Sequence, residues 1–262
     1  MGWRKKSVNS SYRKVYRPPP FNDYYEPFLG GGAVFFGLNS RIHHKAFLSD
    51  VNADLMLTYR MLQKTPRKVI EQLSDYQKKH SKEHYYSIRE EYNSQYNHGQ
   101  DAMKLAAQFI YLNKTCYNGL YRVNQVGRFN VPIGKYKNPK IYDTMNLMKV
   151  SEVLESVDLK VQSFEHIRPG HHDLVYCDPP YDETYDQYTN SGFNRDSQVK
   201  LREMCDSWAE AGARIIVSNS DTDFIRKTWK GYQINQIQAS RNINCKASKR
   251  QQVTELLITS KK

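Results

Sequence analysis

The sequence predicts an α/β fold, a largely parallel sheet flanked by helices and interrupted by a helical insertion. Three observations carry this. A strand–glycine turn–helix–strand order runs from Tyr24 to Asp50. A long block with apolar residues spaced by three and four follows it. Short apolar strands alternating with a helix then resume and run to the end of the chain.

In the first block, YYEPF reads as a strand, LGGG as a turn, AVFFGL as a helix and KAFLSD as a second strand ending on an acid. From Ala53 to Gln108 the spacing is helical. Tyr85, Ile88, Tyr92 and Tyr96 recur on one face, as do Ala102, Leu105, Ala106, Phe109 and Ile110. Between Lys114 and Lys140 the pattern changes to KTCYNGLYRVNQVGRFNVPIGKYKNPK. Asn118-Gly119 and Val126-Gly127 are turn signals, and Tyr121, Val123, Phe129 and Val131 are β-formers, which together predict a basic hairpin. A helix is expected from about Asp143 to Val157. After it come the strands LKVQSF and DLVYCD, a helix with Leu201, Met204, Cys205 and Trp208 on one face, the buried strand RIIVSNS and the last strand ELLITS. The α/β parts are therefore placed at 1–56 and 141–262. The insertion is placed at 57–140, with its hairpin near 117–133.

A chain of 262 residues buries a sizeable core without help from disulfides or metals. No apolar run approaches the length of a membrane span, and MGWRKKSVNSSYRKVYR has no apolar segment of the secretory kind, so the expectation is an unsecreted protein. Its four cysteines, Cys116, Cys177, Cys205 and Cys245, form no CxxC pair, and the pairs His43-His44 and His171-His172 do not suit a helix-face site. Free thiols and no metal are expected. A net charge of +12 favours a polyanionic partner, with a merely soluble basic protein as the bland alternative. Twenty tyrosines supply rings able to stack on bases, although most will be packing residues.

The sharpest motif is Asp178-Pro179-Pro180-Tyr181, at the carboxyl end of the DLVYC strand, where open α/β sheets bind their ligands. Such a tetrapeptide arises by chance in about one protein per thousand of this length. The bland reading, a proline turn with a capping aspartate, is correspondingly weak. An aromatic exocyclic amine is a poor nucleophile because its lone pair is delocalised into the ring. A carboxylate and a carbonyl accepting both amine hydrogens would localise that pair, and Asp178 and the Pro179 carbonyl offer these two acceptors. The prolines stiffen the corner without adding donors. Tyr181 offers a face on which a base can stack, and a base reaches such a corner only by leaving the duplex.

The second motif, Glu26-Pro27-Phe28-Leu29-Gly30-Gly31-Gly32, follows a strand and opens a helix, as cofactor-binding turns do. Asp50 follows some twenty residues later at the next strand end, a position from which an acid binds ribose hydroxyls. These features fit NAD and S-adenosylmethionine equally. DPPY favours the latter, and an NAD-dependent oxidoreductase would leave DPPY and the basic hairpin unexplained.

On these residues the chain resembles the Dam-type family of DNA adenine-N6 methyltransferases over Tyr24 to Ile258. EPFLGGGAVFF is similar to the family's cofactor loop and LSDVN to its ribose-binding strand end. FIYLNKTCYNGLYRVNQVGRFNVPIGKYKNP is similar to its target-recognition segment, and VYCDPPY and VSNS match in order and spacing. The resemblance implies a seven-stranded, Rossmann-like S-adenosylmethionine-dependent fold of mixed sheet, with a helical and hairpin DNA-recognition insertion. It implies Asp178, Pro179, Pro180 and Tyr181 as the catalytic corner and double-stranded DNA as substrate. Cofactor contacts fall to Trp3, Lys6, Glu26, Phe28, Gly30, Gly32, Asp50, Phe164 and Asp178. DNA contacts fall to Tyr117, Asn118, Leu120, Arg122, Asn130 and Pro132, with Arg122 reading a guanine through a bidentate pair. GATC is the expected site, within a restriction-modification or general adenine-methylation setting. A monomer is expected, with a dimer on DNA as the alternative, inside the cell and at the nucleoid or within a viral host. The sequence departs from the family where a WAGGK-like motif is usual, reading Gly2-Trp3-Arg4-Lys5-Lys6-Ser7. The alternative function is accordingly a DNA-binding relative with weakened or lost catalysis.

Overall fold

The computed structural model describes residues 20–94, 101–182, 192–240 and 252–260. Their contacts divide into a helical unit, Asn52–Leu159, and a sheet unit formed by the chain on either side, the division falling within a strand. Among the described residues no helix is long and apolar enough to cross a membrane.

The sheet has seven strands: β1 Tyr24–Glu26, β2 Ala46–Asp50, β3 Val157–Val161, β4 Leu174–Cys177, β5 Arg214–Ser220, β6 Gln233–Ser240 and β7 Gln252–Thr259, in the order β3-β2-β1-β4-β5-β7-β6. β1 runs parallel to β2 and β4, and β4 runs parallel to β5. β7 lies antiparallel between β5 and β6 and makes the sheet mixed. All four residues of β4 and the last six of β5 are buried, as apolar runs covered on both faces must be. Strand order brings the carboxyl ends of β1, β2, β4 and β5 to one edge, where chemistry in such sheets is placed.

AVFFGL forms helix α1, Ala33–Leu38, and RIIVSNS forms β5, both as the pattern predicts. β6 carries no such signal. Its sequence QINQIQAS places Ile234 and Ile237 three apart, against the two-residue period of a strand, and glutamines fill the rest. Ile237 is nonetheless buried and Ile234 packs on the core, while pairing with β7 along the full strand supplies the order that hydrophobic alternation does not. Beneath the sheet, Val175, Cys177, Ile215, Val217, Leu256 and Ile258 form a core with the buried face of the helix Arg195–Glu210, whose Leu201, Cys205 and Trp208 point inward.

In the helical unit, α2 (Ala53–Lys64), α3 (Pro66–Lys79) and α4 (Lys82–Ser94) pack around α5 (Ala102–Thr115). α5 is buried over Ala106–Asn113 without interruption, the pattern of a central helix rather than a surface one. α6 (Thr144–Leu154) packs on α2 and α3, its first turn capped by the Asp143 carboxylate. α2 is capped by Asn52, and Asp101 caps α5. The remaining helices are α7 (Arg195–Glu210) and α8 (Asp223–Thr228), both in the sheet unit.

The expected hairpin is narrower than two full strands. It is closed by single antiparallel bridges, Val123 with Phe129 and Cys116 with Ile133. Its turn is held by the Asn124 side chain, which accepts from the Val126 and Arg128 amides, with Gly127 at φ 78°. Its base is pinned by side chains instead of by a ladder. Asn93 donates to the Phe129 carbonyl at 3.0 Å and accepts from the Phe129 amide at 2.8 Å, and Tyr85 donates to the Val131 carbonyl at 2.8 Å.

Asn93→Ala leaves both backbone groups of buried Phe129 without these partners, at a cost of about 2–4 kcal/mol. The expected outcome is a lowered thermal midpoint and faster hydrogen exchange at the Phe129 amide. Unchanged exchange there would show that the ladder, rather than Asn93, secures the hairpin.

Candidate functional site

Four loops meet the carboxyl edge of the parallel strands within the sheet unit. The first follows β1. Glu26 is buried, and its Oε2 accepts from the Tyr24 hydroxyl at 2.6 Å and from the Phe35 amide in the first turn of α1 at 3.1 Å. Burial pushes its carboxyl up to about 8. The negative charge of Asp178 pushes the same way, while the two hydrogen bonds oppose them.

The glycine loop leaves Glu26 and is folded back by its own backbone. Leu29 donates to the Ser49 carbonyl and Gly32 donates to the Leu29 carbonyl at 2.7 Å. Gly30 has φ 46° and Gly32 φ 64°, a left-handed conformation that a side chain would strain. A Cβ at Gly30 or Gly31 would meet no atom within 4 Å, so the loop borders open space at both positions. Asp50, at the end of β2, accepts from the Gly30 amide through Oδ2 at 3.0 Å. It therefore fixes the loop. A nucleoside cofactor fits this set: a glycine loop with clear space beside it, and an acid on the adjoining strand end. Phe28 stacks on Phe164 with centroids 5.4 Å apart, and Phe193 meets both edge-on, giving an apolar wall of three rings.

β4 leads into Asp178. Its carboxylate is exposed, while Pro179 behind it is buried. Oδ1 accepts from the Ser218 hydroxyl at 2.6 Å. Among the described residues no donor is bonded to the Pro179 carbonyl, whereas the Pro180 carbonyl accepts from buried Gln198 of α7 at 2.8 Å. Gln198 in turn accepts from Asn219 at 3.0 Å, so the corner is braced against β5 by a chain of buried amides. Tyr181 is half-buried, its hydroxyl directed to Glu255 of β7 at 3.4 Å. The next residue, Asp182, takes a bidentate bond from Arg195 and a bond from Thr222. These partners hold its carboxyl below the usual carboxylate range, the Arg195 hydrogen bond foremost.

The structure thus brings Glu26, Phe28, Gly30, Gly32, Asp50, Phe164 and Asp178–Tyr181 to one edge of one unit. Tyr117, Asn118, Leu120, Arg122, Asn130 and Pro132 lie on the hairpin of the helical unit. Tyr117 and Leu120 are partly exposed there. Asn118 takes φ 53° in a short 3-10 turn, and Arg122 Nε donates to Asn130 Oδ1 at 2.8 Å. Trp3 and Lys6 lie outside the described residues. Sequence reasoning gave no role to Ser218, Gln198, Asn219, Phe193 or Glu255. A signal for the β5 residues was present, since SNS places three polar residues at the end of an apolar strand, and all three prove buried.

A model of the D12 class of N6 adenine-specific DNA methyltransferases matches residues 19–243. A type II methyltransferase, M.MjaIII, from Methanocaldococcus jannaschii is 42% identical over 90% of this chain and 87% of its own. The type II methyltransferase M1.LlaDCHI of Lactococcus lactis is 36% identical over 93% and 88%. A DNA adenine methylase of Vibrio cholerae is 32% identical over 91% and 87%.

Between about pH 4.5 and 8 an unfolded chain releases the Glu26 proton that the folded chain keeps. The unfolded state then binds fewer protons, so stability falls as pH rises through this window and is fullest below it. Glu26→Gln, neutral throughout, should remove roughly 2–4 kcal/mol of that decline in urea midpoints measured from pH 5 to 8. Parallel curves for the two proteins would place the proton elsewhere.

Proposed function

The chain belongs to the D12 class of N6 adenine-specific DNA methyltransferases, and we propose that it methylates an adenine flipped out of duplex DNA, within GATC, with S-adenosylmethionine as donor. The observation that carries this reading is Asp178, an exposed residue at the strand edge whose Oδ1 accepts from Ser218, beside a proline carbonyl that can accept. S-adenosylmethionine, held by the glycine loop and Asp50, would supply an electrophilic methyl group with a neutral thioether as its leaving group.

The protein's part is to make that nitrogen a nucleophile. Asp178 and the Pro179 carbonyl accept the two amine hydrogens and draw the lone pair out of the ring. The extra amine proton then leaves to solvent after transfer. Tyr181 holds the base by its ring face. On the cofactor side, the backbone of Gly30 and Gly32 allows close approach, Asp50 takes the ribose hydroxyls, and Phe28 and Phe164 supply an apolar wall for the adenine. Buried Glu26, near neutral in the absence of ligand, gains a counter-charge from a cationic methionine end. Trp3 and Lys6 complete the set in this reading.

The insertion 57–140 serves as the target-recognition domain, with a net charge of +12 over the whole chain to draw in the polyanion. Arg122, oriented through Nε by Asn130, retains the terminal nitrogens that a guanine edge requires. Tyr117, Asn118, Leu120 and Pro132 share the hairpin with it, and GATC rests on the YNGLYRVN and FNVP stretches. A single protomer carries the complete site described.

Labelled methyl transfer to duplexes with and without GATC, together with modified-base sequencing of DNA from expressing cells, tests this directly. Asp178→Ala should lower transfer by at least about a hundredfold. Methylation of adenines irrespective of context would remove GATC, and well-folded protein methylating no DNA would remove the activity. Arg122→Ala should relax discrimination at one base pair by about 1–3 kcal/mol. An equal loss of affinity for every sequence would make it a phosphate contact.

A further inference from the structure

We propose that Ser218, backed by Tyr176, is the positioning residue that sets the rotation of the Asp178 carboxylate for amine capture; this rests on the reading that Asp178 accepts an amine hydrogen. β4 and β5 run in parallel register with Cys177 opposite Val217, which sets Ser218 beside Asp178. Tyr176 and Asp178 are two residues apart and share one face of the sheet, as side chains in a strand do. Cys177 and Val217 point into the core on the other face. The Tyr176 hydroxyl lies 3.2 Å from Ser218 Oγ, and Ser218 Oγ lies 2.6 Å from Asp178 Oδ1. Ser218 Oγ is also 3.5 Å from the Cys177 carbonyl.

A serine hydroxyl has one hydrogen. The carboxylate takes it, being both nearer and charged. Tyr176 then donates into the serine's lone pair, so the three groups form a chain of donors ending on Asp178. Ser218 is fully buried and Tyr176 nearly so, which shields both hydroxyls from bulk solvent.

The relay answers a specific weakness of an exposed aspartate. Its terminal torsion is broad and two-fold, so an unpinned carboxylate would present its oxygens in many orientations. A bond from Ser218 to Oδ1 fixes the plane of the carboxylate, and with it the orientation in which the group meets the amine. Displacement of a reacting group by about 1 Å costs on the order of a hundredfold in rate.

The test is single-turnover methyl transfer by the full chain, alongside cofactor and DNA affinities. Flipping is read separately from the fluorescence of a duplex carrying 2-aminopurine at the target position. Ser218→Ala should slow transfer about 10- to 100-fold, with both affinities and the flipping signal preserved. Ser218→Thr, which keeps the hydroxyl, should restore most of the rate. Tyr176→Phe should cost less than Ser218→Ala, and the double variant should be no slower than Ser218→Ala alone, because the tyrosine acts through the serine. If Ser218→Ala fails to fold, Ser218→Cys, similar in size with a weak donor, carries the same expectation. A full rate in Ser218→Ala, a loss confined to affinity, or losses that multiply in the double variant would each overturn the relay. Asp178→Ala separates the two levels. An inactive Asp178→Ala beside a fully active Ser218→Ala sinks the relay alone, whereas a fully active Asp178→Ala sinks the amine-acceptor reading and the relay with it.

Discussion

Two carboxylates at one sheet edge, kept in different environments, are the constraint on which the site depends. Asp178 is exposed and Glu26 is buried, and the charge on the first helps to keep the second protonated. A low-dielectric interior disfavours two like charges, and the fold resolves this by assigning the charge to the exposed group. In the proposed reaction that group is the one that accepts a hydrogen bond from the amine. The buried acid, in the same reaction, is a reserve of negative charge, able to ionise when a cation is brought beside it. Desolvation at β1 and exposure at β4 would then suit one edge to a neutral nucleophile and a positively charged donor.

Rigidity at this edge is supplied from below. Parallel strands end with carbonyls and amides that no ladder satisfies, and each loop meets that need with a different device. The glycine loop closes on its own backbone and on Asp50. The Asp178 corner is braced through Pro180, Gln198 and Asn219, and its last turn through Asp182, Arg195 and Thr222. Prolines alone would fix two torsions and leave the corner free to rock about its ends. The buried amides remove that freedom, and they occupy the Pro180 carbonyl rather than that of Pro179, the acceptor in the proposed chemistry.

How much of this could be read beforehand varied with the kind of signal. The α/β order, α1, β5 and the strand-end position of Asp178 were legible because local pattern and tertiary role agree there. β6 was not, since an edge strand paired along its length needs few apolar residues, and QINQIQAS offers a three-residue spacing instead. The hairpin was legible as a turn at Gly127 but not as a ribbon of isolated bridges. Its anchors, Asn93 and Tyr85, sit more than thirty residues upstream on a helix. Asp178 announced itself by its proline neighbours. Ser218 did not, because a serine in a strand has many uses and only the register of β4 against β5 sets it beside the aspartate.

The hairpin also explains why apolar residues can be exposed on it without weakening the unit. Its base is fastened by Phe129, which is buried among Tyr92 and Tyr121 and bonded on both backbone groups. Stability is therefore secured without Tyr117, Leu120, Val123 or Val126, all of them exposed. Residues relieved of packing duty can be chosen for what they meet outside. Flat or branched apolar groups interleaved with Arg122 and Arg128 are suited to base edges, thymine methyls and phosphates together. A chain with a polyanionic partner can use such a surface, and here it sits on a base that Asn93 and Phe129 already secure.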